Sequence, residues 1–189
     1  MKKLLLAAVL ALAAVAMVVT VATAKNGNGH RSNGGLHGHL NGYQEVPPVS
    51  TTARGDIKLK INGDSIEFRL RYDGLEAPGA VRFAHIHFGQ KKVNGSVVAF
   101  LCGGDGKPAC PQSGTVTGTI TAENIVGPKD QGIDPAEPTK FAEAVRAIKH
   151  GLTYANVHTD KFPNGEIRGQ IDGRGHHKGF GRGHDKDRD

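Results

Sequence analysis

The sequence predicts a mostly β fold, a sandwich or barrel of short antiparallel strands with one short helix on a crossover between strands. Two observations lead to this prediction. The 189 residues include 27 glycines and only 5% aromatic residues, a composition typical of many turns and a modest core. Short segments in which polar and apolar residues alternate also recur along the chain, separated by Gly, Pro and Asn turns.

The clearest predicted element is a hairpin around Asn62-Gly63. Apolar residues alternate with charged residues over 57–61 and again over 66–72. Because Asn-Gly is a favoured two-residue hairpin turn, we expect these two residues to form the loop. That register places Lys58 opposite Glu67, a pair of opposite charges on the solvent face.

Five further segments are predicted strands, and residues 138–150 are predicted to form a helix. In the helix, Phe141, Val145 and Ile148 recur at helical spacing after a candidate cap at Thr139. The predicted strands are Ala80–Phe88, Gly95–Leu101, Gly114–Thr121, Leu152–Thr159 and Gly165–Ile171.

Residues 1–24 have the three parts of a secretory signal peptide, namely a positive start, an apolar middle and an Ala-x-Ala ending. A membrane anchor is the alternative, since the apolar run approaches the ~20 residues that span a bilayer. The ending at Ala24 favours cleavage, because it serves a peptidase and does nothing for an anchor. We therefore expect a secreted, periplasmic or cell-surface protein with no membrane span after cleavage.

After cleavage we expect a flexible linker over 25–35, a folded domain over 36–172 and a disordered Gly/His/charged tail over 173–189. The formal net charge is +6, but the domain holds 15 Lys/Arg and 15 Asp/Glu. A nucleic-acid binder carries its positive charge on the folded surface, so we exclude that class. The basic tails leave an extracellular protein, a polysaccharide or another anionic surface as candidate partners.

Cys102 and Cys110 flank a loop rich in Gly and Pro. Outside the cytoplasm such a pair usually forms a disulfide bond. The alternative is a soft metal site that uses both thiolates, although no second cysteine pair accompanies it.

His85 and His87 lie in the middle of a predicted strand, so alternation places both imidazoles on one face, about 6.6 Å apart along the strand. That spacing lets two rings converge on one ion. His158, near the end of a later predicted strand, is the third candidate ligand. Three imidazoles suit copper or zinc, and copper(II) has the higher intrinsic affinity. Hydrogen-bonded structural histidines are the alternative.

Ligating histidines need a partner for the second ring nitrogen, and Glu45, Asn156 and Glu166 are the candidates. Arg168 is two residues after Glu166 in a predicted strand, so both side chains are expected on the same face of the sheet. It is either half of a surface ion pair or a cation that attracts small anions to a metal site, which makes it a candidate catalytic residue.

Other histidines are flanked by glycine, and flexible tracts of this kind bind transition metals loosely. They are His37, His39, His176, His177 and His184.

Six motifs occur in an order that closely resembles the CHRD domain, a module found in chordin and in secreted microbial proteins. They are LNGYQEVPPVSTTARG, FAHIHFG, NGSVVAFL, SGTVTGTI, GLTYANVHT and FPNGEIRGQI. The resemblance covers about residues 36–172 and implies an all-β, Greek-key-like sandwich outside the cell. In chordin these domains belong to an extracellular antagonist of growth-factor signalling, whereas for stand-alone microbial members the resemblance implies no settled activity.

The three candidate ligands also resemble the copper ligands of Cu/Zn superoxide dismutases, β-sandwich enzymes with an intramolecular disulfide and an active-site arginine. Cys102–Cys110 and Arg168 are looser analogues. The sequence lacks a clear bridging histidine and the His/Asp cluster of the zinc subsite, so the resemblance implies copper ahead of zinc and does not extend to efficient dismutation.

Three functions therefore stay open. The first is a secreted module that binds copper through His85, His87 and His158. The second is a copper-dependent redox enzyme of the superoxide-dismutase type. The third is an extracellular protein or matrix interaction module in which the histidines are structural.

Overall fold

The computed structural model describes residues 35–76 and 81–173. Within these ranges the chain forms eight strands and one α-helix, joined in places by short 3₁₀ turns. The predicted signal peptide, most of the predicted linker and the tail beyond residue 173 lie outside the described residues. No helix within the described ranges is long and apolar enough to cross a membrane. The elements are β1 Leu36–Asn41, β2 Arg54–Asn62, β3 Ser65–Asp73, β4 Val81–Phe88, β5 Ser96–Cys102, β6 Gly114–Ile120, α1 Lys140–Lys149, β7 Thr153–Thr159 and β8 Ile167–Gly173.

In the described part of the chain, the eight strands form one antiparallel sheet in the order β5-β4-β7-β8-β1-β2-β3-β6. The sheet curls into a nearly closed barrel, and its two edge strands, β5 and β6, lie near each other. The helix α1 lies on the connection between β6 and β7. The predicted class, a mostly β, Greek-key-like barrel or sandwich with one short helix in a crossover, is confirmed.

The core of the barrel is built from one face of each strand. Side chains alternate along a strand between two faces, so every second residue points inward. Each large aliphatic side chain that is fully buried contributes about 1.5–3 kcal/mol to stability. The most buried members include Ile57, Leu70, Ile86, Val157, Ile167 and Ile171, and α1 adds Phe141, Ala144 and Ile148.

The hairpin of β2 and β3 is present, but its predicted loop is wrong by one residue. Asn62 pairs with Ser65, so Gly63 and Asp64 form the two-residue loop. Gly63 takes the first loop position with φ of +54°, the position at which a type II′ turn requires glycine. The observed register moves each strand partner by two positions, so the apolar face is unchanged while the charge pairs on the solvent face change.

One strand, β1, was missing from the prediction, which treated His37 and His39 as part of a flexible tract. Both residues lie on β1, near the middle of the sheet between β8 and β2. Gly38 interrupts the apolar alternation of this strand, because a side chain there would approach the Gln170 carbonyl oxygen to 2.6 Å. A close backbone approach therefore removes the signal by which the sequence would reveal the strand.

The helix α1 is shorter than predicted, and Thr139 makes no capping hydrogen bond with its side chain. The ends of the five strands predicted in addition to the hairpin agree with the structure to within two residues.

Lys58 and Arg69 lie directly opposite each other on the solvent face of the hairpin. We expect Arg69→Glu to raise the free energy of unfolding by about 0.2–1 kcal/mol, because it replaces a like-charge pair by an opposite-charge pair. Urea unfolding at low salt measures the change. Lys60→Glu, which would face Glu67, is the matched control and should destabilise the protein. If Arg69→Glu destabilised the protein instead, residue 69 would face Asp56, as in the register predicted from the sequence.

Candidate metal centre

The candidate metal centre lies on the outer face of β4, away from the core. Alternation along β4 directs His85 and His87 to this face, as the sequence predicts. Across the pairing with β7, His85 is opposite Asn156 and His87 is opposite Tyr154. Every residue of β7 is buried, because one face lies against the core and the other lies beneath loops.

The side chains of His85, His87 and His158 converge in space. One ring nitrogen from each lies within 4.8 Å of the other two, and His85 Nδ1 is 3.1 Å from His158 Nε2. The three side chains are only 6–9% exposed. Imidazole–metal bonds of about 2.0–2.1 Å allow two ligand nitrogens to be at most about 4.2 Å apart. Two ring nitrogens separated by close to 4.8 Å must therefore move closer when an ion binds.

Backbone carbonyls hold two of the three rings. His87 Nδ1 lies 3.0 Å from the Gly95 carbonyl oxygen, and His158 Nδ1 lies 2.9 Å from the Pro163 carbonyl oxygen. A carbonyl oxygen can only accept a hydrogen bond, so both rings carry a proton on Nδ1. When the ring is neutral, this tautomer leaves a lone pair on Nε2.

Two ring nitrogens of the cluster, His85 Nε2 and His87 Nε2, are buried and have no hydrogen-bond partner among the described residues. A buried polar atom without a partner costs about 1–3 kcal/mol. An ion at the cluster would satisfy Nε2 of His87. Because His85 presents Nδ1 to His158, a shared ion would take Nδ1 from His85 and Nε2 from the other two rings.

Burial keeps the three imidazoles neutral. His85 lies against the rings of Phe83 and Phe100. Burial, reinforced by the two neighbouring histidines, lowers the pKa of His85 to about 3. Burial also lowers the pKa of His87 to about 4 and lowers the pKa of His158. All three rings are therefore neutral at pH 7, the charge state that metal binding requires.

Glu45 and Asn156, predicted from the sequence as partners for the histidines, bond to each other. The Asn156 amide donates to Glu45 Oε1 at 2.6 Å and to the Ile167 carbonyl oxygen at 3.2 Å. Burial raises the pKa of Glu45 to about 7, although Arg168 and Asn156 lower it. The ring nitrogens of His87 and His158 bond to backbone carbonyls instead, and no pattern of residue types could have indicated those partners.

Glu166 lies fully buried beside the turn that follows His158. Its carboxylate accepts hydrogen bonds from the hydroxyl groups of Thr51 and Thr159 and from the backbone N–H of Glu76. Thr159 also accepts a bond from the backbone N–H of Phe162. Glu166 therefore acts on the cluster indirectly, by holding the turn whose Pro163 carbonyl orients His158.

Arg168, the candidate catalytic residue, is 2% exposed, and its guanidinium group is bonded to a loop. It donates to Asn94 Oδ1 at 3.1 Å, to the Gln90 carbonyl oxygen at 3.2 Å and to the Val93 carbonyl oxygen. Burial lowers the pKa of this guanidinium. These contacts fasten the segment 90–95 over the outer face of the sheet.

Arg168 is linked to the cluster by a stack of rings. Its Cζ lies 3.4 Å from the centre of the Tyr154 ring. The Tyr154 ring is in turn stacked on His87, with 4.8 Å between ring centres and an angle of 2° between planes. Tyr154 also accepts a hydrogen bond from the backbone N–H of Gly95. The stack therefore fixes the plane of the His87 ring.

The predicted disulfide between Cys102 and Cys110 is present, which excludes the alternative thiolate site. Cys102 is paired with Ala84 across β4 and β5, next to His85. His37 and His39 lie on β1 outside the cluster, where His39 contacts Asp56. The predicted tail histidines lie outside the described residues.

Arg168→Lys tests the role of the guanidinium. Lysine keeps the charge but loses the planar contact with Tyr154 and the paired nitrogen donors, so we expect a loss of about 2–3 kcal/mol in the free energy of unfolding. Urea unfolding measures it. Arg146→Lys on the exposed face of α1 is the control and should change stability by less than about 0.5 kcal/mol. Equal effects of the two substitutions would contradict the role given to Arg168.

The stability of the metal-free protein should fall from pH 7 to pH 5. An unfolded histidine has a pKa of about 6.5, so in this window the unfolded state binds more protons than the folded state at His85 and His87, and unfolding takes up protons. The raised pKa of Glu45 acts in the opposite sense, because there the folded state holds the proton. Urea unfolding at pH 7, 6 and 5 measures the slope.

His87→Gln isolates one ring in that experiment. It should reduce the slope by up to about 1.4 kcal/mol per pH unit, because one buried neutral ring no longer titrates on unfolding. A slope that is the same in the wild type and in His87→Gln would show that His87 is not held neutral.

The comparison with known proteins gives one match. The family model of the CHRD domain matches residues 36–171, a range that contains the three histidines and the disulfide. No curated protein and no solved structure has a significant match to the chain. Because the matched range is well over half of its length, the chain belongs to the CHRD-domain family.

Proposed function

We propose that this domain binds one copper ion through Nδ1 of His85 and Nε2 of His87 and His158. The observation that carries the proposal is the convergence of three buried, neutral imidazoles, two of them held by backbone carbonyls so that the lone pair lies on Nε2. Structural histidines would use their polar atoms in hydrogen bonds. Here Nε2 of His87 is buried without a partner among the described residues and belongs to the proposed ligand set, which favours ligation over a purely structural role.

The donor set favours copper over zinc. The cluster consists of histidines, both cysteines are in a disulfide, and the carboxylates of Glu45 and Glu166 are bonded elsewhere. Three neutral donors leave the charge of an ion uncompensated in a buried site, which penalises a divalent ion more than copper(I). Among divalent ions, nitrogen sites also bind copper(II) most tightly.

We place this function outside the cytoplasm. The family membership and the Cys102–Cys110 disulfide support that location, since such bonds persist in oxidising compartments. Secretion through residues 1–24 and contact of the basic tails with an extracellular protein, a polysaccharide or another anionic surface stay predictions.

We propose binding rather than catalysis. A copper-dependent redox enzyme needs an open coordination position that its substrate can reach. The three histidines are almost completely covered, and the guanidinium of Arg168 is bonded to the loop 90–95 rather than facing the cluster. The geometry therefore favours holding or carrying the ion.

Metal analysis of the reconstituted full chain should give about one tightly held copper ion per chain. Ala in place of His85, His87 or His158 should each remove most of it, because a buried site with two imidazoles loses both affinity and geometry. The matched control is the double variant His37→Ala/His39→Ala on β1, which should keep its copper.

The tail histidines need a separate control, because loosely bound copper there would mimic a site. Replacing them by Gln in the full chain should leave the tightly held ion in place. Less than about 0.1 copper per chain in this tail variant would contradict the proposal. The replaced residues are His176, His177 and His184.

A further inference from the structure

A cavity lies beside β8 and is distinct from the histidine cluster. It has a volume of about 340 Å³, and none of the cluster histidines lines it. Small-molecule sites commonly have volumes of about 300–1,000 Å³. Buried side chains on its wall are those of Glu45, Arg168 and Gln170, which are 2–8% exposed. The cavity therefore has polar groups held in fixed positions.

Positive charge predominates around this cavity. Lys91 and Lys92 are consecutive, exposed lining residues, and neither has an ion-pair partner in the described part of the chain. Lys92 has φ of +65°, a conformation that non-glycine residues adopt rarely and that is enriched at functional sites. Arg168 adds a third cation.

The negative group in the wall, Glu45, offsets little of this charge. Burial raises its pKa to about 7, so its carboxyl is partly protonated at neutral pH. The wall therefore has a surplus of positive charge and is suited to a ligand that carries a carboxylate.

The rest of the wall is apolar and includes an exposed ring. Tyr43 is 73% exposed, more than any other large apolar side chain in the described ranges. Val46 and Pro48 line the same cavity. An exposed aromatic ring beside apolar walls provides a stacking surface for the flat face of a ligand.

We propose that this cavity binds a small organic acid with a ring-shaped body. Its carboxylate pairs with Lys91 and Lys92, and its ring lies against Tyr43. Acidic sugars and aromatic carboxylic acids share this chemistry. The proposal does not depend on the metal site, because the ligand contacts none of the three histidines.

Calorimetric titration of the metal-free full chain with glucuronate and with benzoate tests the proposal. At least one of the two acids should bind, and its uncharged counterpart, glucose or benzamide, should bind at least about tenfold more weakly. Tighter binding of glucuronate identifies an acidic sugar, and tighter binding of benzoate identifies an aromatic acid. The proposal would be overturned if neither acid bound with a Kd below about 10 mM. It would also be overturned if sulfate bound as tightly as the organic acids, because the site would then select for charge alone.

Variants separate the cavity from non-specific attraction. Lys91→Gln/Lys92→Gln should weaken binding at least about tenfold, and Tyr43→Ala should weaken it about fivefold. All these side chains are exposed, so the variants should melt at the wild-type temperature. The matched control, Lys58→Gln/Lys60→Gln on the solvent face of β2, should keep the affinity. An equal loss in the control would refute the assignment.

Discussion

The pleat of three neighbouring strands, β4, β7 and β8, places alternate side chains in two different buried environments. Inward-pointing Ile86, Val157 and Ile167 fill the barrel, whereas His87 and Arg168 point outward beneath loops. A shift of register by one residue would exchange the two faces and move imidazoles into the apolar core. The stability of the barrel and the geometry of the candidate metal centre therefore depend on the same strand pairing.

Polar contacts hold the side chains of the outer face in place, as apolar packing holds those of the inner face. Arg168 holds the segment 90–95, whose Gly95 carbonyl orients His87. Glu166 holds the turn whose Pro163 carbonyl orients His158. Burying these charges costs free energy, which the protein–protein hydrogen bonds offset only while the whole network is intact. The network thereby makes the rings rigid, which a preformed metal site requires.

Composition and period-two patterning together predicted the fold class, and alternation placed His85 and His87 on one face. It could not reveal β1, where Gly38 replaces an apolar residue to admit the backbone of β8. It also missed the partners of His87 and His158, since every residue type carries a carbonyl. The orientation of Arg168 depends on a loop more than 70 residues away in sequence, as its bond with Asn94 shows. Local pattern carries no information on such a contact.

The protonation and ligation of the imidazole nitrogens test the copper proposal most directly, and ¹⁵N NMR of labelled protein reports both. In the metal-free protein at pH 7, His87 and His158 should be neutral with the proton on Nδ1. Addition of copper(I) should shift the Nε2 resonances of these two rings and the Nδ1 resonance of His85. Charged rings, a proton on Nε2 of His87, or resonances that copper leaves unmoved would contradict a three-histidine copper site.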